Sequence, residues 1–169
     1  ERKNLILIKI KKPKFNKYEN RSTFFGNIYQ SLDLAKINDQ FIKLKTKNKV
    51  NKTQIEDLLF SLKVVKHLKS NSIALCRNKQ SVGLGMGQPS RIGAVNIAIK
   101  NMGGLNKKKG YVCASDGFFP FTDSLDVLIR NNCKALVQPA GSINDNVIIE
   151  FADNKNFSLF FCKNRLFKH

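Results

Sequence analysis

The sequence predicts an α/β domain with a largely parallel or mixed sheet. Two observations carry this. Strand-like and helix-like segments alternate between residues 53 and 161, as expected when helices of about 10 residues cover a sheet. The polar and glycine-rich segments follow the strand-like runs, where open α/β sheets bind their ligands.

Residues 4–10 (Asn-Leu-Ile-Leu-Ile-Lys-Ile) are a short apolar run that reads as a buried strand. Residues 11–22 read as a polar connector, and residues 24–34 return in extended form. A helix opens at Thr53, where Thr53-Gln-Ile-Glu56 fits a capping box. Ile55, Leu58, Leu59, Leu62, Val65 and Leu68 then recur at helical spacing. Strands follow over residues 72–76, 81–84, 110–114, 135–138 and 157–161, with helices over 90–100, 122–131 and 145–153. Residues 101–109 read as an exposed loop whose lysines are solvated.

At 169 residues and 42% hydrophobic, the chain suffices for one medium domain with a substantial core. Its apolar runs fall far short of the roughly 20 residues that cross a bilayer, and residues 4–10 lack the form of a signal peptide. The chain therefore reads as soluble and cytoplasmic, with no membrane partner. Its start at Glu1 rather than methionine suggests a fragment or a processed piece. Cys76, Cys113, Cys133 and Cys162 stand apart, with no Cys-x-x-Cys and no His-x-Glu. That spacing builds no zinc site and is expected of reduced, mostly buried thiols.

The net charge of +18 invites a nucleic-acid reading. However, 24 of the 30 basic residues are lysine and 6 are arginine. The excess is spread along the chain, without the arginine and interleaved aromatics that a stacking surface carries. No specific nucleic-acid partner is expected, and a basic nucleic-acid-binding α/β module is the alternative reading.

The most concentrated signal is Gly83-Leu-Gly-Met-Gly-Gln-Pro-Ser-Arg91. Its glycines permit tight turns or close approach to a ligand, and Arg91 adds a charged donor fork for phosphate or carboxylate. Alone, the run also fits a dinucleotide loop. About 20 residues on, though, lies a lysine run instead of the acidic ribose partner such loops need. Asn71, Ser115–Asp123, Gln138–Asp145 and the segment after the last strand add polar groups at other strand ends, which suggests one composite pocket.

In order along the chain, Lys69-Ser-Asn-Ser-Ile73, the Gly83–Arg91 run, Ala114-Ser-Asp-Gly-Phe-Phe-Pro-Phe-Thr-Asp123, Gln138-Pro-Ala-Gly-Ser142 and Arg165-Leu-Phe-Lys-His169 resemble the C-terminal half of the AICAR transformylase domain of the bifunctional AICAR transformylase/IMP cyclohydrolase family. The match is close over residues 54–169, and Lys3-Asn-Leu-Ile-Leu7 looks like the preceding strand. The resemblance implies a cytidine-deaminase-like three-layer α/β module with a mixed sheet and without the deaminase zinc site. Residues 1–52 would be leading strands and connector and 53–169 the deaminase-like subdomain. The IMP cyclohydrolase domain and the first half of the transformylase would lie outside the chain. The implied reaction is formyl transfer from the co-substrate 10-formyltetrahydrofolate to the 5-amino group of AICAR, with no metal, in a homodimer whose sites straddle the subunit boundary.

Residue by residue, the resemblance makes Asn71 an active-site amide near the transferring formyl group. It places Arg91, Arg165, Phe167 and His169 on AICAR, and Phe118, Asp123, Pro139, Gly141 and Ser142 on the folate. Gly117 stands where alanine is usual, which reads as a harmless loss of bulk. The family's catalytic lysine–histidine pair belongs upstream of the strand matched by residues 3–7. Lys66 and His67 are helical neighbours that do not face one way, and His67 reads as a surface or structural residue.

Overall fold

The computed structural model describes Ile6, Ile8, Lys9 and residues 17–168. Contacts divide the chain into two units, residues 1–35 and 36–169. Of the strand expected over residues 4–10, Ile6 and Ile8 are exposed and outside any strand, and the remainder apart from Lys9 lies outside the described residues.

The first unit contains an antiparallel hairpin of β1 (Tyr18–Thr23) and β2 (Gly26–Ser31), in register from Tyr18↔Ser31 to Thr23↔Gly26. β1 corrects the expectation of a polar connector at residues 18–22, while residues 11–16 of that segment lie outside the described residues. Its pairing is backbone to backbone, and nearly all of its side chains are exposed, so no apolar alternation marks it in the sequence. Phe24 and Phe25 form the turn, each 96% exposed, with their rings edge to face.

The second unit opens with a 3-10 turn, Asp39–Phe41, that buries Phe41 and leads into β3 (Ile42–Leu44). Next comes α1 (Lys52–Val65). Its capping box lies two residues ahead of the expected one. The Asn51 side chain accepts from Gln54 N at 2.9 Å, and Gln54 Oε1 accepts from Asn51 N at 3.0 Å. Both quartets satisfy the spacing that defines the motif, so spacing alone could not choose between them.

The remaining elements are β4 (Ile73–Arg77), β5 (Gln80–Gly85), α2 (Arg91–Asn101), α3 (Gly104–Lys109), β6 (Tyr111–Ser115), α4 (Asp123–Arg130), β7 (Cys133–Pro139), α5 (Asp145–Asn154) and β8 (Ser158–Cys162). The helix α3 replaces most of the loop expected over residues 101–109, and its three lysines are exposed as expected.

The sheet runs in the order β3-β8-β7-β6-β4-β5. β6, β7 and β8 are parallel, β4 is antiparallel to β5 and β6, and β3 is antiparallel to β8. This is the mixed sheet of the expected α/β class. Successive strand residues point to opposite faces. Ile73, Leu75, Tyr111, Cys113, Leu136, Leu159 and Phe161 cluster with Ala94, Val95, Ala98, Leu125, Leu128, Ile148 and Ala152 of α2, α4 and α5. The alternate residues, including Ala74, Val112 and Val137, face the side against which α1 packs its buried Leu58, Leu62 and Val65. The result is three layers, with α1 on one face and three helices on the other.

The glycine-rich run has a packing role here. A Cβ at Gly83 would lie 2.3 Å from Ala98 O, and one at Gly85 would lie 2.0 Å from Ala94 O. Missing side chains therefore let the α2 backbone rest on β5. Of the three glycines, only Gly87 has positive φ, at 65°.

Candidate functional site

Strand direction brings the polar loops to one edge of the sheet. β4 is antiparallel to β6, so the entry to β4 lies beside the exits from β5, β6, β7 and β8. A cleft of about 260 Å³ opens at this edge, lined by Asn71, Pro89, Ser90, Arg91, Phe118, Pro120, Arg165 and Phe167. Five residues singled out in the sequence, from four separate segments, thus share one cavity.

A buried ion pair forms the floor. Arg91 is the first residue of α2, behind the N-cap Ser90, whose hydroxyl accepts from Gly93 N at 3.1 Å. The Arg91 Nη1 group donates to Asp116 Oδ1 and, at 3.3 Å, to Ser72 O. The side chains of Arg91 and Asp116 are 8% and 0% exposed. Asp116 Oδ1 also accepts from Ser72 N at 3.1 Å, and Asp116 O accepts from Leu166 N at 2.9 Å. Ser70 N donates to Lys168 O at 2.9 Å, while Lys168 N donates to Ser70 Oγ at 3.1 Å. These bonds sew the last residues to the entry of β4. The sequence reading missed Asp116. It lies one residue beyond a strand among other polar residues, and only its burial distinguishes it.

Above the floor, the Arg165 guanidinium lies 4.9 Å from the Phe118 ring centroid and 5.8 Å from that of Phe167. Such cation–π contacts contribute about 0.5–1 kcal/mol at exposed sites. The two phenylalanines, read as serving different ligands, thus flank one cation. The Asn71 amide nitrogen donates to Gln88 O at 2.9 Å, which leaves Oδ1 and the second N–H for a ligand. Two side-chain ends share the space beside Gly117. A Cβ there would lie 2.4 Å from Arg91 Nη2 and 2.7 Å from Phe167 Cε1.

The other folate-side candidates do not line the cleft. Asp123 is exposed at the start of α4, and its Oδ1 accepts from Ser124 N at 2.6 Å. Pro139 is buried at the end of β7. Gly141, at φ 109°, and Ser142 form a turn whose N–H groups donate to Asp145 at 2.8 and 3.2 Å. The turn borders the Phe118 segment, because Asn144 donates to Pro120 O at 2.8 Å and Gln138 Oε1 accepts from Phe119 N at 3.0 Å. His169 lies outside the described residues. His67 is exposed just beyond α1 and away from the cleft lining.

The lining groups are amide, hydroxyl, proline, phenylalanine and guanidinium. They can bind anions and flat rings, yet none of them is a base at neutral pH. The four cysteines are buried free thiols. Burial pushes Cys76, Cys133 and Cys162 up to about 12, and Cys113 is also raised by burial. All four are therefore inert as nucleophiles at neutral pH. Among the described residues, no group of three or more His, Cys, Asp or Glu side chains is placed to hold a metal, and no helix is long and apolar enough to cross a membrane.

A family model described as "AICARFT/IMPCHase bienzyme" matches residues 1–101. Similar proteins are the bifunctional purine biosynthesis proteins PurH of Thermoanaerobacter sp. (strain X514), 38% identical over 169 residues, and of Persephonella marina, 40% identical over 172 residues. Each alignment covers 100% of this chain and 33% of the relative. The PurH of Buchnera aphidicola subsp. Baizongia pistaciae is 40% identical over 172 residues, covering 98% of this chain and 32% of the relative. The chain thus spans about a third of the length of the curated relatives it matches.

Proposed function

The chain belongs to the AICARFT/IMPCHase bienzyme family, and on that premise we propose that it forms part of a formyl-transfer site in purine biosynthesis. The formyl group passes from 10-formyltetrahydrofolate to the 5-amino group of AICAR, giving FAICAR and tetrahydrofolate. The carrying observation is the convergence of Asn71, Arg91, Phe118, Arg165 and Phe167 on one cleft.

The chemistry assigns each a task. Two substrates must be held in register, which by itself can supply much of the rate gain. Arg165 offers a charged fork to the AICAR phosphate and Phe167 a face to the imidazole ring, while Arg91 adds a second cation beside them. Phe118 packs against the pterin at the other side of the Arg165 guanidinium. Asp123 and the Pro139–Ser142 turn would extend the folate side. Asn71 sits between the two sides. With its amide nitrogen committed to Gln88 O, Oδ1 is available to accept from the attacking amine, and the second N–H can donate to the formyl oxygen.

The amine is a weak nucleophile, so a base must take its proton as the tetrahedral centre forms. The described lining holds no such group. In this reading the chain contributes binding and positioning, and, as the family resemblance implies, the lysine–histidine pair for proton transfer belongs to another part of a longer or partner chain. The parent enzyme would also carry IMP cyclohydrolase activity and act as a cytoplasmic homodimer.

Two measurements on the purified 169-residue chain test this. Calorimetric titration should detect AICAR and a folate analogue, with Arg165→Ala weakening AICAR selectively. A transformylase assay of the chain alone should detect no turnover. Absence of both ligands would sink the site reading; appreciable turnover by the isolated chain would sink the partial-site reading.

A further inference from the structure

β4 pairs with β5 in a register that ends at Ile73↔Gly85. Two residues further out along each strand, that register would set Asn71 opposite Gly87. The bonds go elsewhere. Asn71 N donates to Gln88 O at 3.3 Å, Gln88 N donates to Asn71 O at 3.4 Å, and Gly87 N donates to Lys69 O at 2.8 Å. Gln88 O also accepts from Asn71 Nδ2 at 2.9 Å. One carbonyl thus holds both the main chain and the side chain of Asn71. The chain has advanced by one residue at Gly87, whose φ is 65°. Extra residues of this kind re-aim side chains at sheet edges, and glycine takes left-handed φ without steric penalty. Gly87 is exposed, and a Cβ there would meet nothing within 4 Å. Backbone conformation, not space, is what calls for glycine here.

Resting on the reading of Asn71 as the amide beside the transferring formyl group, we infer that Gly87 is a positioning residue. Its left-handed turn carries Gln88 O to the Asn71 amide nitrogen, which leaves Oδ1 as the atom presented to the attacking amine. Gly87 does not itself touch the substrate and acts through Gln88 O and Asn71. A residue with a Cβ disfavours the left-handed region, so the free chain then spends part of its time with Gln88 O turned away. AICAR affinity falls in proportion to the fraction still held. Asparagine visits the left-handed region more readily than alanine, so it separates the effect of φ from that of adding a side chain.

The test is calorimetric titration of the 169-residue chain with AICAR and with the same ribotide lacking the 5-amino group. Gly87→Ala should weaken AICAR by about threefold to tenfold, the scale of a left-handed penalty, and the ribotide without the amine by less than about twofold. Gly87→Asn should recover most of the loss. In an Asn71→Ala background, Gly87→Ala should cost AICAR less than about twofold, because residues in contact are not additive. Equal weakening of both ribotides, equal costs in both backgrounds or no recovery by asparagine overturns the inference. An unfolded Gly87→Ala also overturns it, since an exposed turn in open space should not decide folding. If the parent binds no AICAR, or Asn71→Ala binds both ribotides as the parent does, the reading of the site fails and the Asn71 side-chain amide decides the positioning claim. Its NMR signals, identified by their loss in Asn71→Ala, should show a hydrogen-bonded N–H in the parent and in Gly87→Asn. In Gly87→Ala they should move towards those of a free amide, and unmoved signals overturn the inference.

Discussion

Asp116→Asn isolates the charge of the buried pair beneath the cleft. The amide is nearly isosteric with the carboxylate, and its oxygen can still accept from Ser72 N and Arg91. What disappears is the negative charge facing a guanidinium whose side chain is 8% exposed. Breaking a buried pair by removing one partner costs about 3–5 kcal/mol. Arg91 retains Ser72 O as an acceptor and lies at the edge of a cleft, which favours the lower end. The new amide nitrogen replaces Asp116 Oδ2, a buried atom without a hydrogen-bond partner, so it gains no evident acceptor. The expected loss is about 3 kcal/mol, or a urea midpoint lowered by about 1.5 M at a slope near 2 kcal/mol per molar. The assay is urea unfolding of the purified chain, followed by circular dichroism, with Arg91→Met/Asp116→Leu as the partner variant. Replacing the whole pair by apolar groups should be milder than stranding the cation. A single variant within about 1 kcal/mol of the parent, or a double variant as unstable as the sum of its singles, would refute this account of the floor.

Asp57→Ala should lower stability by about 2 kcal/mol in the same assay, because hydrogen bonds to charged groups contribute about 1.5–3 kcal/mol. The Asp57 carboxylate accepts from Asn78 N at 2.9 Å and Lys79 N at 2.7 Å, holding the β4–β5 turn, where both residues have positive φ. Stability should also fall steeply in alkali. Cys76, Cys133 and Cys162 rise from an ordinary value of 9.0 to about 12 on burial, so the unfolded chain loses these protons first. The stabilisation is complete below pH 9 and drains away up to pH 12, at about 1.4 kcal/mol per pH unit for each thiol. A melting temperature flat across that window would contradict the burial of these thiols; Cys133→Ala should reduce the slope.

The sequence exposes elements whose signal is local. Leu58, Leu62 and Val65 repeat at the spacing that puts them on one face of α1, and that face is buried. Continuous apolar runs mark β6, β7 and β8, since strands covered on both faces need no polar alternation. β3 has only three residues, and β1 is exposed on both faces, so neither leaves a pattern. The cleft was partly legible for the same reason. Asn71, Arg91, Phe118, Arg165 and Phe167 each lie near a strand end or a helix start that local patterning marks. Asp123 and the Gly141–Ser142 turn looked equally eligible, yet they are not among the residues that line this cleft.

By itself, then, the sequence determined the α/β class, the order of the main elements and the family to which its motifs belong. Only the tertiary structure decided that Gly83 and Gly85 serve helix packing, that Asp116 pins Arg91, and that Phe167 comes to lie beside Gly117. Periodicity records which side of an element faces inward, because neighbours three or four residues apart share a helix face and those two apart share a strand face. The pairing of Arg91 with Asp116, and of Gly117 with Phe167, spans tens of residues. It exists only because β4 runs against β6 and the segment after β8 returns beside both.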